Sequence, residues 1–242
     1  MTNSPINDES AYIRKELLYV RLLSFIDSIS GFVHNVSNPL TVVATKSQLF
    51  QLKMPQNSDF SKMVDQSKVI ESMLNNIVMI TESLKDQGIR HFDLNALLKN
   101  EFEYYNTDAF FKHKIDKVYG WSRHLPRIKF SYFDVSMIIF CIMQILLAKF
   151  PEIDDKRMVV KTGNSESSVT VQITANCLPF DEKTAQAISA ADTDSLPASD
   201  KLFRDLSDAV RNGATSGLSL DIGLAQNQTA FTINIPINKY AQ

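Results

Sequence analysis

The stretch 32–41, FVHNVSNPLT, gathers the side chains of this sequence best suited to covalent chemistry. His34 offers an imidazole, whose neutral and nucleophilic form is well populated at pH 7. Asn38 follows four residues later and Thr41 seven, spacings that place both beside His34 on one face of an α-helix. An amide and a hydroxyl there can orient a reacting group or a water by hydrogen bonding. Pro39 sits among them, although a proline inside a helix forfeits a hydrogen bond and costs about 3 kcal/mol. A proline beside a nucleophile places a local bend where the chemistry would occur.

The other reactive residue types lack such a setting. Asn35, directly after the histidine, cannot take up a proton at neutral pH and so cannot act as a general base. His91, His113 and His124 read as surface or structural, and no two histidines stand at the i, i+4 spacing of a helical metal site. Cys141 and Cys177 lie in apolar surroundings without CxxC spacing, as reduced core thiols of a cytosolic protein do. A net charge of −2 gives no electrostatic case for nucleic acid or an anionic membrane as partner. The most apolar run, 137–150, falls short of the ~20 residues that span a bilayer. The polar start MTNSPINDES lacks the layout of a signal peptide. A cytoplasmic location is expected.

The elements that carry these residues can be read from apolar spacing. Between residues 8 and 53 the only glycine is Gly31 and the only proline Pro39. Apolar positions recur every three or four residues at Leu22, Ile26, Ile29, Val33, Val36, Leu40 and Val43, and the seam continues through Ser47 and Phe50. That is a heptad seam along a long helix. MPQNSD (54–59) breaks it, with Ser58 and Asp59 as capping candidates. A second seam runs through Met63, Ser67, Ile70, Leu74, Ile77, Thr81 and Leu84 and stops at Gly88. Two such helices make an antiparallel hairpin, assigned to residues 1–90, whose apolar stripe calls for a second copy and a homodimeric four-helix bundle. Residues 91–242 follow another grammar. A helix (94–106) precedes strand-like stretches at 117–121 and 127–133, an apolar helix (134–150) and a hairpin (157–176) turning at GNSES. Two short helices across 181–212 flank a polar linker (192–199), and a strand (228–237) closes the chain. The fold class is α+β, the second part an α/β sandwich with one sheet covered by helices.

With these elements in place, the chain resembles a two-component histidine kinase core. HNVSNPLT resembles the phosphoacceptor box of the dimerisation and histidine-phosphotransfer hairpin. FDLNALLKNEF (92–102) resembles the segment leading into the kinase ATP-binding domain, and SGLSLDIGLAQNQTAFTINIPI (216–237) its last glycine motif and final strand. The likeness covers nearly all of the chain after residue 20. It implies His34 as phosphoacceptor, Asn38 and Thr41 as orienting groups, and a sandwich of the histidine-kinase ATPase type over 91–242.

The departures from that family decide the expected activity. Asn35 stands where the family carries an acidic general base. With Ala148 as anchor, Met143 and Leu147 fall on the asparagine positions that help hold Mg²⁺ and phosphates, and neither side chain coordinates a hard cation. Ala175, Cys177 and Pro179 replace an Asp-x-Gly-x-Gly motif. Only Gly213 and Gly217 lie near the place of a glycine-rich lid. The expected function is therefore histidine phosphotransfer in a phosphorelay without ATP binding. It needs no cofactor of its own, because response-regulator receiver domains bring the Mg²⁺ and the phospho-aspartate. Receivers would dock on the flank below His34, at Thr41, Thr45 and Gln48. Two alternatives stay open: a catalytically inactive pseudo-histidine-kinase scaffold, with the tract 189–201 as a contact loop or disordered lid remnant, and a divergent active histidine kinase.

Overall fold

The computed structural model describes residues 6–85 and 88–237; for residues 6–20, 22–25, 27, 30, 83 and 84 it gives the backbone course only. The expectations for Leu22 and Leu84 lie outside the described side chains. The chain divides into two compact units, Met1–Lys85 and Asp86–Gln242.

The first unit is the helical hairpin, α1 (Ile6–Lys53) and α2 (Ser58–Lys85). The cap of α2 falls one residue earlier than the sequence suggested. Asn57 Oδ1 accepts from the Asp59 backbone N–H at 3.0 Å, leaving Ser58 and Asp59 inside the first turn. The heptad seam splits into two lines. Val33, Ser47, Val64, Ser67, Leu74 and Thr81 are buried between the helices. Val43, Phe50, Met63, Ile70 and Ile77 remain 38–45% exposed. Small hydroxyl residues on the buried line let the helices approach without orphaned donors. Ser47 Oγ donates to the Val43 carbonyl, Ser67 Oγ to that of Met63 and Thr81 Oγ1 to that of Ile77, at 2.8–2.9 Å.

The second unit is the sandwich. It runs β1 (Ile89–Phe92), α3 (Leu94–Tyr105), α4 (Ala109–Lys114), β2 (Asp116–Gly120), β3 (Ile128–Ser131) and α5 (Tyr132–Lys149). β4 (Arg157–Asn164), β5 (Ser168–Ala175), α6 (Glu182–Ser189), α7 (Lys201–Ala214), β6 (Ser219–Ala225) and β7 (Gln228–Pro236) complete it. β1 and β3 form a two-stranded antiparallel sheet, and the main sheet has the order β2-β4-β5-β7-β6. β2 runs parallel to β4, and the remaining pairs are antiparallel. Strand alternation sends Met158, Val160, Val171, Ile173, Phe231 and Ile233 inward, where they join Val135, Ile138, Ile139 and Ile142 of α5 in one core. Asp93, Asp108, Ser131 and Asp181 cap α3, α4, α5 and α6 through their side chains.

Two expectations change here. The segment expected as strand 127–133 ends at Ser131, because that residue caps α5. Residues 219–225, expected within a glycine motif, form β6, an edge strand paired antiparallel with β7. By length and composition α5 with its following turn, 132–152, is apolar enough to cross a bilayer. Ten of its side chains are buried in the core, so it serves as the central helix of this unit.

Candidate functional site

His34, Asn38 and Thr41 all lie on α1, with Pro39 inside the same helix. All three side chains are exposed, although their neighbour Val33 is buried against α2. The helix face thus turns from core to solvent within one residue, and that turn presents the imidazole. Pro39 has no N–H to donate to the Asn35 carbonyl, so the hydrogen-bond ladder is interrupted one residue beyond His34. The structure separates the two expected orienting groups. Thr41 Oγ1 donates to the Ser37 carbonyl at 2.9 Å, so its proton is committed to the helix. Asn38 keeps an exposed amide one turn from His34.

Thr45 and Gln48 continue this flank and are exposed as expected. Sequence reasoning passed over the apolar residues interleaved with them. Val42 and Leu49 are each 53% exposed and Leu52 79%. Their signal was available: they fall off the heptad seam, where a solvated face would be polar.

The residues that stand where the resembled family carries its nucleotide contacts are mostly interior. Met143 is completely buried, Ala175 and Cys177 are 1% and 4% exposed, and all three belong to the hydrophobic core. Pro179 is also buried, and Leu147 is partly so. Gly213 is buried in the last turn of α7, where a side chain would meet Leu218. Gly217, at φ +87°, makes the turn from α7 into β6. Both glycines therefore serve the α7–β6 connection.

The tract 189–201, read as a contact loop or disordered lid remnant, is a fastened connection. Thr193 Oγ1 donates to Asp208 Oδ1 at 2.6 Å, and Arg204 Nη1 reaches the carbonyls of Thr193 and Leu196 at 3.0–3.1 Å. Arg211 holds the Ala191 carbonyl, and Leu196 is buried. A cavity of about 630 Å³ lies beside the β6–β7 turn, lined by Asp154, Asp155, Asn176, Gln226 and Gln228 among others. Burial pushes the Cys141 thiol up to about 12 and that of Cys177 to about 11, which keeps both inert. Among the described residues no group of three His, Cys, Asp or Glu side chains is placed to hold a metal ion.

No family model and no curated protein matches the chain. Solved structures do. The histidine kinase ThkA, in its crystal structure in complex with the response regulator protein TrrA, matches all of this chain and 69% of its own length, with 13% identity and a TM-score of 0.51. The catalytic domain of ThkA in a nucleotide-free form covers 62% of this chain and 95% of its own, at 13% identity and a TM-score of 0.48. Full-length ShkA in complex with AMPPNP covers 89% of this chain and 47% of its own, at 15% identity and a TM-score of 0.49. At such identities the likeness speaks of fold, and the fold is of the histidine-kinase type. A helical hairpin precedes an ATPase-type sandwich, as the sequence motifs led one to expect.

Proposed function

We propose that this chain is a histidine phosphotransferase of a two-component phosphorelay, working in the cytoplasm as a homodimer and without ATP. The reading is carried by one contrast. His34 is exposed on its helix, whereas Met143, Ala175 and Cys177, aligned with the family's nucleotide-contact positions, are packed into a hydrophobic core.

The chemistry follows from what each side supplies. A ring nitrogen of His34 attacks the phosphorus of a receiver's phospho-aspartate, forming the N–P bond as the acyl O–P bond breaks and the aspartate leaves as carboxylate. The receiver's Mg²⁺ neutralises the transferring group. A second receiver reverses the step, its aspartate oxygen attacking phosphorus while the imidazole leaves. Neither step requires a base beside the histidine, so Asn35 is no obstacle. Asn38 orients the phosphoryl oxygens through its amide N–H groups. Thr41, Thr45 and Gln48, with the exposed Val42, Leu49 and Leu52, form the receiver's docking face. The response regulator seated in the ThkA structure supports that class of partner. The line Val43, Phe50, Met63, Ile70 and Ile77, exposed along both helices, supports a second copy of the hairpin as dimer partner.

The test is a phosphotransfer assay with a panel of phosphorylated receiver domains, with Mg-ATP alone as control, for wild type and His34→Ala. Label moving from a receiver to the wild type, absent in His34→Ala and absent with ATP, is the expected result. Label from ATP alone would make the protein a divergent kinase. No label from any source would leave the dimeric pseudokinase scaffold.

A further inference from the structure

The outward stripe of a packed helix is ordinarily polar. On α5 it carries Phe133, Met137 and Phe140, spaced i, i+4 and i+7, and Phe140 is 41% exposed. With Ala209 of α7 these side chains floor a groove of about 260 Å³ between the two helices. Asp134, Asp205 and Asp208 stand along it with Asn212, and none of its described lining residues is a lysine or arginine. Asp208 is engaged, accepting from Thr193 and lying 3.9 Å from Arg211. Asp134 and Asp205 have no ion pair or side-chain hydrogen bond among the described residues. Burial first, then the Asp205 charge, raises the Cys141 thiol on the same groove, so that carboxylate acts across the floor. In a chain of net charge −2 this is a local concentration of negative charge beside apolar surface.

We propose that the α5–α7 groove docks a basic amphipathic helix of a partner protein, its apolar stripe on Phe133, Met137 and Phe140 and its lysine or arginine side chains beside Asp134 and Asp205. Size and charge together select that occupant. Pockets that enclose small organic ligands span about 300–1,000 Å³, and this groove is smaller, with Phe140 at its surface. Nucleic acid and anionic lipid would meet the same carboxylates with repulsion. A helix laid beside α5 and α7 presents apolar residues at i, i+3, i+4 and i+7 to the floor. Long cationic side chains flanking that stripe lay their stems on apolar surface and bring their charges to the rim. Contact with the floor supplies affinity, and the carboxylates set orientation and on-rate. Such docking uses a face of the sandwich alone and does not depend on phosphate at His34.

The probe is a fluorescein-labelled helical peptide of about 18 residues, or five turns, with leucine at i, i+3, i+4 and i+7 and lysine on the flanks. The same sequence with glutamate for lysine is its control. Anisotropy with the full chain should show the lysine peptide binding in the micromolar range and about tenfold or more tighter than the glutamate peptide. Asp205→Lys and Phe140→Ser should each weaken it about tenfold. Glu166→Lys, the same charge change on the β4–β5 turn, should leave it unchanged. Thermal melts followed at Trp121, the only tryptophan, check that each variant is folded. Amide NMR shifts on adding the peptide should centre on residues 133–141 and 205–212. Equal binding of the two peptides, undiminished binding by Asp205→Lys, shifts centred elsewhere, or no binding would overturn the docking site. So would sedimentation in which Phe140→Ser weakens self-association, which would give the groove to a second copy of this chain.

Discussion

A threonine hydroxyl on a helix has two places to send its proton, outward to a ligand or back to the carbonyl four residues earlier. At Thr41 it goes back, to Ser37 at 2.9 Å. Asn38 keeps an exposed amide beside the histidine. The two groups should therefore differ in a single-turnover transfer assay. Asn38→Ala should slow phosphoryl uptake by about tenfold, the loss of one hydrogen bond to a charged group, worth about 1.5 kcal/mol. Thr41→Val should stay within about twofold of wild type. Equal losses at both positions would show that Thr41 turns its hydroxyl outward when the phosphoryl group arrives. At this scale sequence carried the identity and spacing of His34, Asn38 and Thr41, since helical periodicity alone decides which residues share a face. The rotamer of Thr41 was not legible, because it depends on which acceptor lies nearer in space.

At the scale of elements, the heptad seam was legible in full and its division was not. A three-four spacing marks residues that avoid water, and both halves of the seam do so in sequence. Only the pairing of α1 with α2 separates Val33, Ser47, Ser67 and Leu74, which are buried, from Val43, Phe50, Met63, Ile70 and Ile77, which are not. The exposed half makes a sharp prediction about assembly. In the proposed dimer, Ile70→Glu would place a carboxylate on the exposed apolar line of each copy, at several kcal/mol per copy, and sedimentation should show self-association weakened at least a hundredfold. Val69→Glu introduces the same charge one residue away, on the outward face, and should leave the dimer intact. If both variants dimerise like wild type, the exposed line is not the interface. Strand β6 was missed for a related reason. Its outward residues include Gly223 and Ala225, so the alternation that marks a half-buried strand is faint in SLDIGLA, and pairing with β7 supplies what its own pattern lacks.

For the whole molecule the question is whether this kinase-type fold takes up nucleotide. The sequence showed apolar residue types at Met143, Ala175 and Cys177; that these side chains fill a core was not legible, because burial is a property of the packed domain. Met143 without exposed surface, with Ala175 and Cys177 beside the core sheet, means that nucleotide contact there would require core side chains to move aside. The tract between α6 and α7 offers no compensating freedom, being tied by Thr193, Arg204 and Arg211. A ligand held at a hundred times its dissociation constant raises stability by about 2.7 kcal/mol when it binds only the folded state. For a unit of this size that is roughly 5–10 °C in melting midpoint. Mg-ATP at millimolar concentration should therefore leave the Trp121-monitored melt within about 1 °C of the nucleotide-free protein, and Mg-ADP and Mg-AMPPNP should do the same. A concentration-dependent rise would mean that the core positions open around nucleotide, and that phosphate can enter the relay from ATP as well as from a receiver.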